Sequence, residues 1–388
     1  MAEAADVRRM GGGVAGAGPP AWFAEARAPL ALAWPLIAAQ LAQIALATTD
    51  TIMMGWLGPS FLAAGALGVS FVFPVLMFGY GVTSATAPMV AQAVGARRPR
   101  EVRRVMRQGL WVAIALSAAM IPLIREGAAA LRWMGQAPES VALADGYLRA
   151  AAWQVPGALG VVTLRSLLTT HGAQRTVLVV TVAGVVLNAG LNWLLMFGNL
   201  GFPRLELVGA GLATALVNAA MVAALLRVAL RRKGMRRYAI LGRFWRSDWA
   251  RFGAILRLGA PIGATLTAET GLFAAAAFLM GLISEAALAG HAVAIQLASV
   301  AFMVPYGLSH ATTVRVGLAW GAGERAAARR AGWLSVGLAA CFMAAAGALF
   351  WLRPEPLVAL FLDPRAPEDS EAATLAIGFL AVAAVFQL

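Results

Sequence analysis

The sequence predicts an all-α polytopic membrane protein built from two parallel-repeat helical lobes, and three observations support this fold class. Of the 388 residues, 61% are hydrophobic and only 13% are charged, which lies outside the range of soluble domains. The apolar residues form blocks of about 20 or more, long enough for helices that cross a hydrocarbon core of about 30 Å, whereas a β-barrel would show short alternating segments. The third observation is an internal repeat.

In chain order, residues 1–28 come first and are Gly-rich and polar, without the apolar stretch of a signal peptide. We expect a disordered cytoplasmic tail there. Ten apolar blocks follow, and we expect each to cross the membrane once: 29–56, 61–92, 105–124, 140–168, 175–197, 207–230, 253–283, 286–318, 331–352 and 371–388.

The arginines predict the orientation of these spans. Basic residues concentrate in the tail and in the connections after the second, fourth, sixth and eighth blocks, such as "GARRPREVRRVMR" and "GAGERAAARR". Because basic connections stay in the cytoplasm, we expect a multi-pass protein of the inner (plasma) membrane with a cytoplasmic N-terminus. The net charge of +13 therefore does not indicate nucleic-acid binding.

The sixth connection, residues 231–252, combines arginines with Tyr238, Phe244, Trp245 and Trp249. Such a segment can lie as an interfacial helix on anionic headgroups. A solvated linker between two halves of the protein is an equally good interpretation.

An internal repeat determines the architecture. Residues 35–104 align with 261–330 without a gap at an offset of 226 (261 − 35 = 226), and 20 of the 70 positions are identical. The identities include Tyr80/Tyr306, Gly81/Gly307 and Gly95/Gly321, so shared alanine richness does not account for them. The chain is therefore predicted to contain a duplication.

Six spans precede the second copy, so both copies enter the membrane from the same side and are parallel repeats. The predicted N-lobe is 29–230 with six helices, and the predicted C-lobe is 253–388 with four. A 6 + 6 plan would extend to about residue 480 (254 + 226), so we expect the chain to be incomplete and truncated in its tenth helix.

Two acidic residues lie inside the apolar blocks. A charge at mid-bilayer costs roughly 3 to 10 kcal/mol, so such residues face a protein interior or water and are functional candidates. Asp50, in "ALATTDTIMMG", lies six residues before the interfacial Trp56. Glu269, in "TLTAETGLF", aligns in the repeat with Gln43, which lies seven residues before Asp50. We therefore predict that Gln43 and Glu269 face a central space from equivalent places.

Other polar residues in the blocks admit two interpretations each. Asn188 and Asn192 are four apart and share one helix face, either as a functional pair or as hydrogen-bonding glue between helices. His291 and His310 could relay protons or fix packing, and Arg315 could extend its charge to the interface.

Motifs of common enzymes are missing from the sequence. Lys233, the sole lysine, is not preceded by the glycine of a phosphate-binding loop, and there is no G-x-S-x-G or H-E-x-x-H motif. The single cysteine, Cys341, offers neither a disulfide framework nor a cysteine metal site. We expect no enzyme activity, no cofactor and no resident metal.

Several stretches resemble the multidrug and toxic compound extrusion (MATE) family, in its NorM-type branch. They are "PLIAAQLAQIALATTDTIMMGWLG", "PMVAQAVGA", "GAPIGATLTAETGLFAAAAFLMG" and "VRVGLAWGAG". The resemblance covers about 30–388 and implies two six-helix lobes around a V-shaped cavity. It implies that Asp50 couples proton movement beside Asn188 and Asn192, and that Glu269 binds a cation, sodium or a proton, in the C-lobe. A tenth-helix aspartate of that branch would follow Leu388.

The expected function is secondary active export of organic, mostly cationic compounds by a monomer, in exchange for protons or sodium ions. A carboxylate among apolar neighbours loses solvation, which allows Asp50 to take up a proton at a workable pH. Two alternatives stay open. One is a flippase of lipid-linked precursors, whose cavity would carry arginines such as Arg149 and Arg165, and the other is a truncated remnant without transport activity.

Overall fold

The fold is described by a computed structural model that covers residues 21–361 and 370–387. Within those ranges the regular secondary structure is entirely helical. In chain order we number the α-helices as follows: α1 (Ala21–Leu57), α2 (Pro59–Ser84), α3 (Thr86–Gly95), α4 (Pro99–Arg125), α5 (Gly127–Trp133), α6 (Pro138–Ala151), α7 (Gln154–Thr170), α8 (Gln174–Leu195), α9 (Glu206–Arg231), α10 (Lys233–Arg236), α11 (Trp249–Ile283), α12 (Glu285–Gly321), α13 (Arg325–Leu352), α14 (Pro354–Val358) and α15 (Ser370–Phe386). A short 3-10 helix, Asn199–Gly201, lies between α8 and α9.

Seven segments of the described chain are long and apolar enough to cross a membrane. They coincide with seven of the ten predicted blocks. Of the other three blocks, 253–283 corresponds to α11 and 371–388 to the 17-residue α15. The block 140–168 is not one helix but two, α6 and α7, because Pro156 has no N–H to continue the ladder and the chain turns at Ala152 and Trp153.

Two predicted boundaries differ from the structure. Helix α1 begins at Ala21, so residues 21–28 are not part of a tail, in keeping with the alanine-rich, helix-favouring sequence "AWFAEARA". Residues 1–20 lie outside the described residues. At the linker, α11 already begins at Trp249, after an N-cap in which the Asp248 carboxylate accepts a hydrogen bond from the Arg251 N–H.

The two halves meet in a pseudo-twofold arrangement that follows the sequence repeat. Helix α2 packs against α11, and α1 packs against α12. Gly81 on α2 touches the backbone of Gly263 on α11, and Gly307 on α12 touches Ile37 on α1. These two contacts are equivalent under the 226-residue offset (81 + 226 = 307; 37 + 226 = 263). The repeat is therefore a geometric relation between the halves as well as a sequence relation.

A second equivalent pair of contacts lies at the ends of α3 and α12. Gly95 contacts the carbonyl of Leu318, and Gly321 contacts the carbonyl of Gln92. Both contacts are close to arginine-rich connections, at what we call the basic end of the molecule. The absence of a side chain at each glycine allows the two backbones to approach this closely.

The cores lie within and between the halves. The two largest apolar clusters lie in the first half and together involve all the helices from α2 through α9. Another cluster joins α12 to α13, α14 and α15. A smaller cluster crosses between halves and consists of Ala33, Leu36, Ile37, Leu308 and Ala311. The halves are thus joined by apolar packing as well as by glycine contacts.

Candidate functional site

Asp50 lies seven residues before the end of α1, at the end of the molecule opposite the basic end. Its carboxylate binds two side chains from other helices. Asn192 Nδ2 on α8 donates to Oδ1 at 2.6 Å, and Thr214 Oγ1 on α9 donates to Oδ2 at 3.0 Å. Each carboxylate oxygen therefore accepts one hydrogen bond, and three helices of the first half converge on this acid.

Asn188 extends this group along α8. Asn192 Nδ2 also donates to Asn188 Oδ1 at 3.2 Å, and both asparagines are fully buried. Asn188 Nδ2 and Asn192 Oδ1 have no hydrogen-bond partner in the described chain. The structure thus brings together Asp50, Asn188 and Asn192, three of the four site residues that the sequence indicated for this half; the fourth, Gln43, does not belong to this group.

Thr214 was not indicated by the sequence. A threonine inside an apolar helix most often bonds the carbonyl four residues earlier, and no feature of "GLATALVNAA" suggests a partner on α1. Its bond to Asp50 spans 164 residues of sequence, so only the fold makes it visible.

Apolar side chains surround one side of this polar group. Met53, Met54, Tyr147 and Leu207 belong to one buried cluster next to Asp50 in the chain and in space. Such surroundings strengthen each hydrogen bond to an ionised carboxylate because little water competes for it. We name Asp50, Asn188, Asn192 and Thr214 the acid site.

Gln43 and Glu269 occupy equivalent, exposed positions on α1 and α11. In the described chain neither side chain forms a hydrogen bond or ion pair. Glu269 lies two positions after Thr267, whose Oγ1 reaches the Pro74 carbonyl of α2 at 3.4 Å. At about 100° per residue, Glu269 points away from the face that contacts α2. The structure does not bring Glu269 to the acid site, and its role stays a prediction.

A second polar group crosses between the halves. Arg165 Nη1 on α7 donates to Gln40 Oε1 on α1 at 2.9 Å, and Arg165 Nη2 lies 3.4 Å from His310 Nε2 on α12. The Tyr306 and His310 rings are 4.9 Å apart in an edge-on arrangement, and both Tyr80 and Tyr306 lie within electrostatic range of Arg165. These tyrosines are repeat-equivalent (80 + 226 = 306), and we name the five residues the bridging group.

The remaining candidates lie elsewhere. His291 packs edge-on against Phe379 at 6.1 Å between ring centres, and Arg315 is half-buried near the end of α12. Arg149 forms an exposed ion pair with Asp145 at 2.9 Å, so Arg165 alone of the two noted arginines is drawn into the interior. In the part of the chain that the structure describes, no group of three His, Cys, Asp or Glu side chains could hold a metal ion.

Comparison with known proteins adds three findings. The MatE family model matches residues 35–194 and 261–388, two stretches whose starts are 226 residues apart. A probable multidrug resistance protein NorM of Mesorhizobium japonicum is 46% identical over 95% of this chain and 79% of its own. A protein of the same description from Pseudomonas aeruginosa is 42% identical over 94% and 75%.

Solved structures show the same fold. The crystal structure of a eukaryotic MATE transporter, AtDTX14, superimposes with a TM-score of 0.82 at 19% identity, over 94% of this chain and 80% of that chain. A MATE structure in the bent conformation gives 0.79 at 21% identity, over 93% and 79%. At these identities the likeness concerns the fold alone.

Proposed function

Because this chain belongs to the MATE family and is a multidrug efflux transporter of the membrane, we propose that it exchanges organic cations for protons at Asp50. The observation that carries this proposal is the acid site itself: an acid inside a predicted span that receives donors from two other helices. The sequence relatives support the transport class, and the acid site supports the coupling step.

The acid site suits both states of a proton-coupled carboxyl group. In the ionised state, the amide of Asn192 and the hydroxyl of Thr214 stabilise the charge. In the protonated state, an oxygen of Asp50 becomes a donor and needs an acceptor. The Asn192 amide can rotate so that its Oδ1, which has no partner in the described chain, accepts the hydrogen bond from protonated Asp50. The Asn188 amide can then rotate so that its Nδ2, which also has no partner there, donates to Asn192 Oδ1. The two unused amide atoms are therefore the ones that the protonated state requires.

Charge explains the exchange between substrate and proton. An ionised Asp50 attracts a cationic compound, and protonation removes that attraction, so the compound leaves as the proton binds. Each charge that crosses the full membrane potential contributes about 2.3 kcal/mol per 100 mV. Glu269, exposed on α11, is proposed as a second cation-binding residue that takes sodium or a proton.

We further propose that the basic end faces the cytoplasm of a cell whose inner membrane holds the protein as a monomer. The arginine-rich connections support this orientation. The glycine contacts between the halves lie toward that end, so this arrangement would be closed to the cytoplasm and ready to take protons from outside.

Proton-driven dye efflux in proteoliposomes tests the proposal. We expect Asp50→Asn, which keeps the shape but cannot ionise, to lower the initial efflux rate of a cationic dye at least about tenfold under an imposed pH gradient. The matched control is Asp145→Asn, which removes a partly exposed carboxylate from its ion pair with Arg149 and should transport at the wild-type rate.

The choice of driving gradient separates the two ions. Efflux driven by a pH gradient alone supports the proton as the coupling ion at Asp50, whereas efflux that requires a sodium gradient would transfer coupling to sodium. Wild-type rates in Asp50→Asn under both gradients would exclude Asp50 from coupling.

A further inference from the structure

A cavity lined mostly by arginines lies at the basic end, between α4 and the linker. It measures about 310 Å³ and is lined by Arg103, Arg104, Arg107, Gly242, Arg243, Arg246, Ser247 and Asp248. Five of these side chains are cations and one is an anion. No part of the acid site or the bridging group belongs to this cavity, which we name the arginine cavity.

The linker is held over α4 by specific hydrogen bonds. Trp111 Nε1 donates to the Phe244 carbonyl at 2.9 Å, and the two rings stack at 5.5 Å between centres. Arg107 Nη1 donates to the Arg243 carbonyl at 3.2 Å. The walls of the arginine cavity are therefore positioned in part by α4 side chains.

Three other side chains of the linker, including Tyr238 and Ile240, are buried. Tyr238 and Ile240 are only 3% and 2% exposed, and the Tyr238 hydroxyl lies 2.9 Å from His171 Nε2. The segment therefore does not form one continuous helix, and it combines buried side chains with exposed arginines. Between the end of α9 and the start of α11, its only described helix is the four-residue α10, and its remaining turns cover α4 and the end of α7.

Arg107 is the buried cation of the cavity. The residue is 6% exposed, and its Nε has no hydrogen-bond partner in the described chain. The one carboxylate that lines the cavity, Asp248, lies 4.0 Å from Arg104 Nε and also caps α11. A buried guanidinium without a close counter-ion is costly, so an anion in this cavity would supply the missing charge and acceptor.

Two exposed indoles, one on the linker and one at the start of α11, lie next in sequence to residues that line the arginine cavity. Trp245 and Trp249 are 80% and 73% exposed, and tryptophan is enriched at the level of lipid headgroups. Clusters of arginine at this level recognise the phosphates of anionic lipids. We propose that the arginine cavity binds a phosphate group, and that its source is the headgroup of an anionic phospholipid whose chains lie beside Trp245 and Trp249.

The geometry favours phosphate over a single carboxylate. Guanidinium groups pair with phosphate oxygens through parallel hydrogen bonds, and three arginines of α4 face two of the linker. One phosphate can then be shared between the two segments, which would hold the linker, and with it the start of α11, against the first half.

Binding to lipid of stated composition tests this site in the purified full chain. Native mass spectrometry would measure retention of phosphatidylglycerol, with phosphatidylcholine as the zwitterionic comparison. We expect the double variant Arg243→Gln/Arg246→Gln to lower phosphatidylglycerol affinity about tenfold or more. The matched control Arg232→Gln/Arg236→Gln removes two exposed cations from the same linker outside the cavity and should change affinity less than about twofold.

A buried variant and a soluble competitor complete the test. Arg107→Gln should also weaken lipid binding. Because this substitution can disturb folding, its result is used only if its melting temperature equals that of the wild type. If the melting temperature differs, the exposed double variant is the decisive test. Competition by millimolar inorganic phosphate would identify free phosphate as the ligand source, whereas retention of lipid would identify the headgroup. Equal lipid and phosphate binding in wild type and Arg243→Gln/Arg246→Gln overturns the site.

Discussion

Ala91 on α3 and Gly317 on α12 occupy the same place in the two repeats (91 + 226 = 317) and contact each other directly. A Cβ placed on Gly317 would lie 2.5 Å from that of Ala91. Two residues that are equivalent in a twofold arrangement can touch only close to its axis. The pseudo-twofold axis therefore passes between α3 and α12 near the basic end, where the two halves are closest.

This contact predicts that Gly317→Val separates the halves. Extra methyl groups in a packed contact cost about 1–3 kcal/mol, and the lobes can relieve this cost by moving apart at the basic end. Spin labels are attached to cysteines that replace Ala96 and Ala322, a repeat-equivalent pair, in a variant whose Cys341 is replaced by serine. We expect the distance between the two labels to be longer in Gly317→Val than in the otherwise identical protein with Gly317. The measurement is a pulsed electron paramagnetic resonance distance distribution.

The matched control for this prediction is Gly332→Val on α13. A Cβ at Gly332 would meet nothing within 4 Å, while the change in helix propensity is the same. An unchanged distance in both variants would mean that the contact at the axis does not set the separation of the halves.

The repeat was the part of the fold that the sequence predicted best. Identities such as Gly81/Gly307 and Gly95/Gly321 gave the offset, and the structure shows why these glycines matter: each lies where one backbone meets the other half. The break at Ala152 and Trp153 was missed because hydropathy is continuous across it. Pro156 was a local signal that could have indicated two helices.

The hydrogen bond between Gln40 and Arg165 allows a test of the bridging group. Its side chain is 6% exposed and accepts from Arg165 at 2.9 Å. Gln40→Leu would leave a buried guanidinium N–H without its acceptor, at a cost of about 1–3 kcal/mol. We expect a lower free energy of unfolding, measured by thermal denaturation in detergent. Gln43→Leu, the same change at an exposed position one turn later, should leave it nearly unchanged; equal effects would contradict the prediction.

The bridging group also marks the limit of sequence reasoning here. Arg165 and His310 were each noticed as isolated polar residues, but nothing in the sequence connected them, because 145 residues separate them. Gln40 was not singled out at all, since its repeat-equivalent, Leu266, is apolar. Pairing across helices depends on rotation and register, which composition and periodicity do not specify.

Loss of the Thr214 hydroxyl is expected to change the pH profile of transport. Thr214→Val keeps the shape of the side chain but removes one donor from the ionised Asp50 carboxylate, and the protonated acid loses less. A hydrogen bond to a charged group contributes about 1.5–3 kcal/mol, which corresponds to roughly one to two pH units. We therefore expect the midpoint of the pH–rate profile for dye efflux to move to higher pH by about one unit.

The chain offers a matched control for this change. Thr181→Val alters an equally buried helix threonine whose hydroxyl donates only to the Val177 carbonyl of its own helix at 2.9 Å. Its pH–rate profile should coincide with that of the wild type. A profile that moves equally in both variants would show that the shift reflects general loss of polarity and not the bond to Asp50.

Orientation in the membrane can be measured with a pair of alanine-to-cysteine variants. The native Cys341 is exposed, so it is first replaced by serine. Ala137, between α5 and α6, and Ala322, between α12 and α13, are exposed at opposite ends of the molecule. With the basic end in the cytoplasm, a membrane-impermeant maleimide should label Ala137→Cys in intact cells. Labelling of Ala322→Cys should be weak in intact cells and should rise several-fold after the cells are permeabilised. The reverse pattern would place the glycine contacts at the outer face, and the lobes would then be closed to the outside and unable to load protons from it.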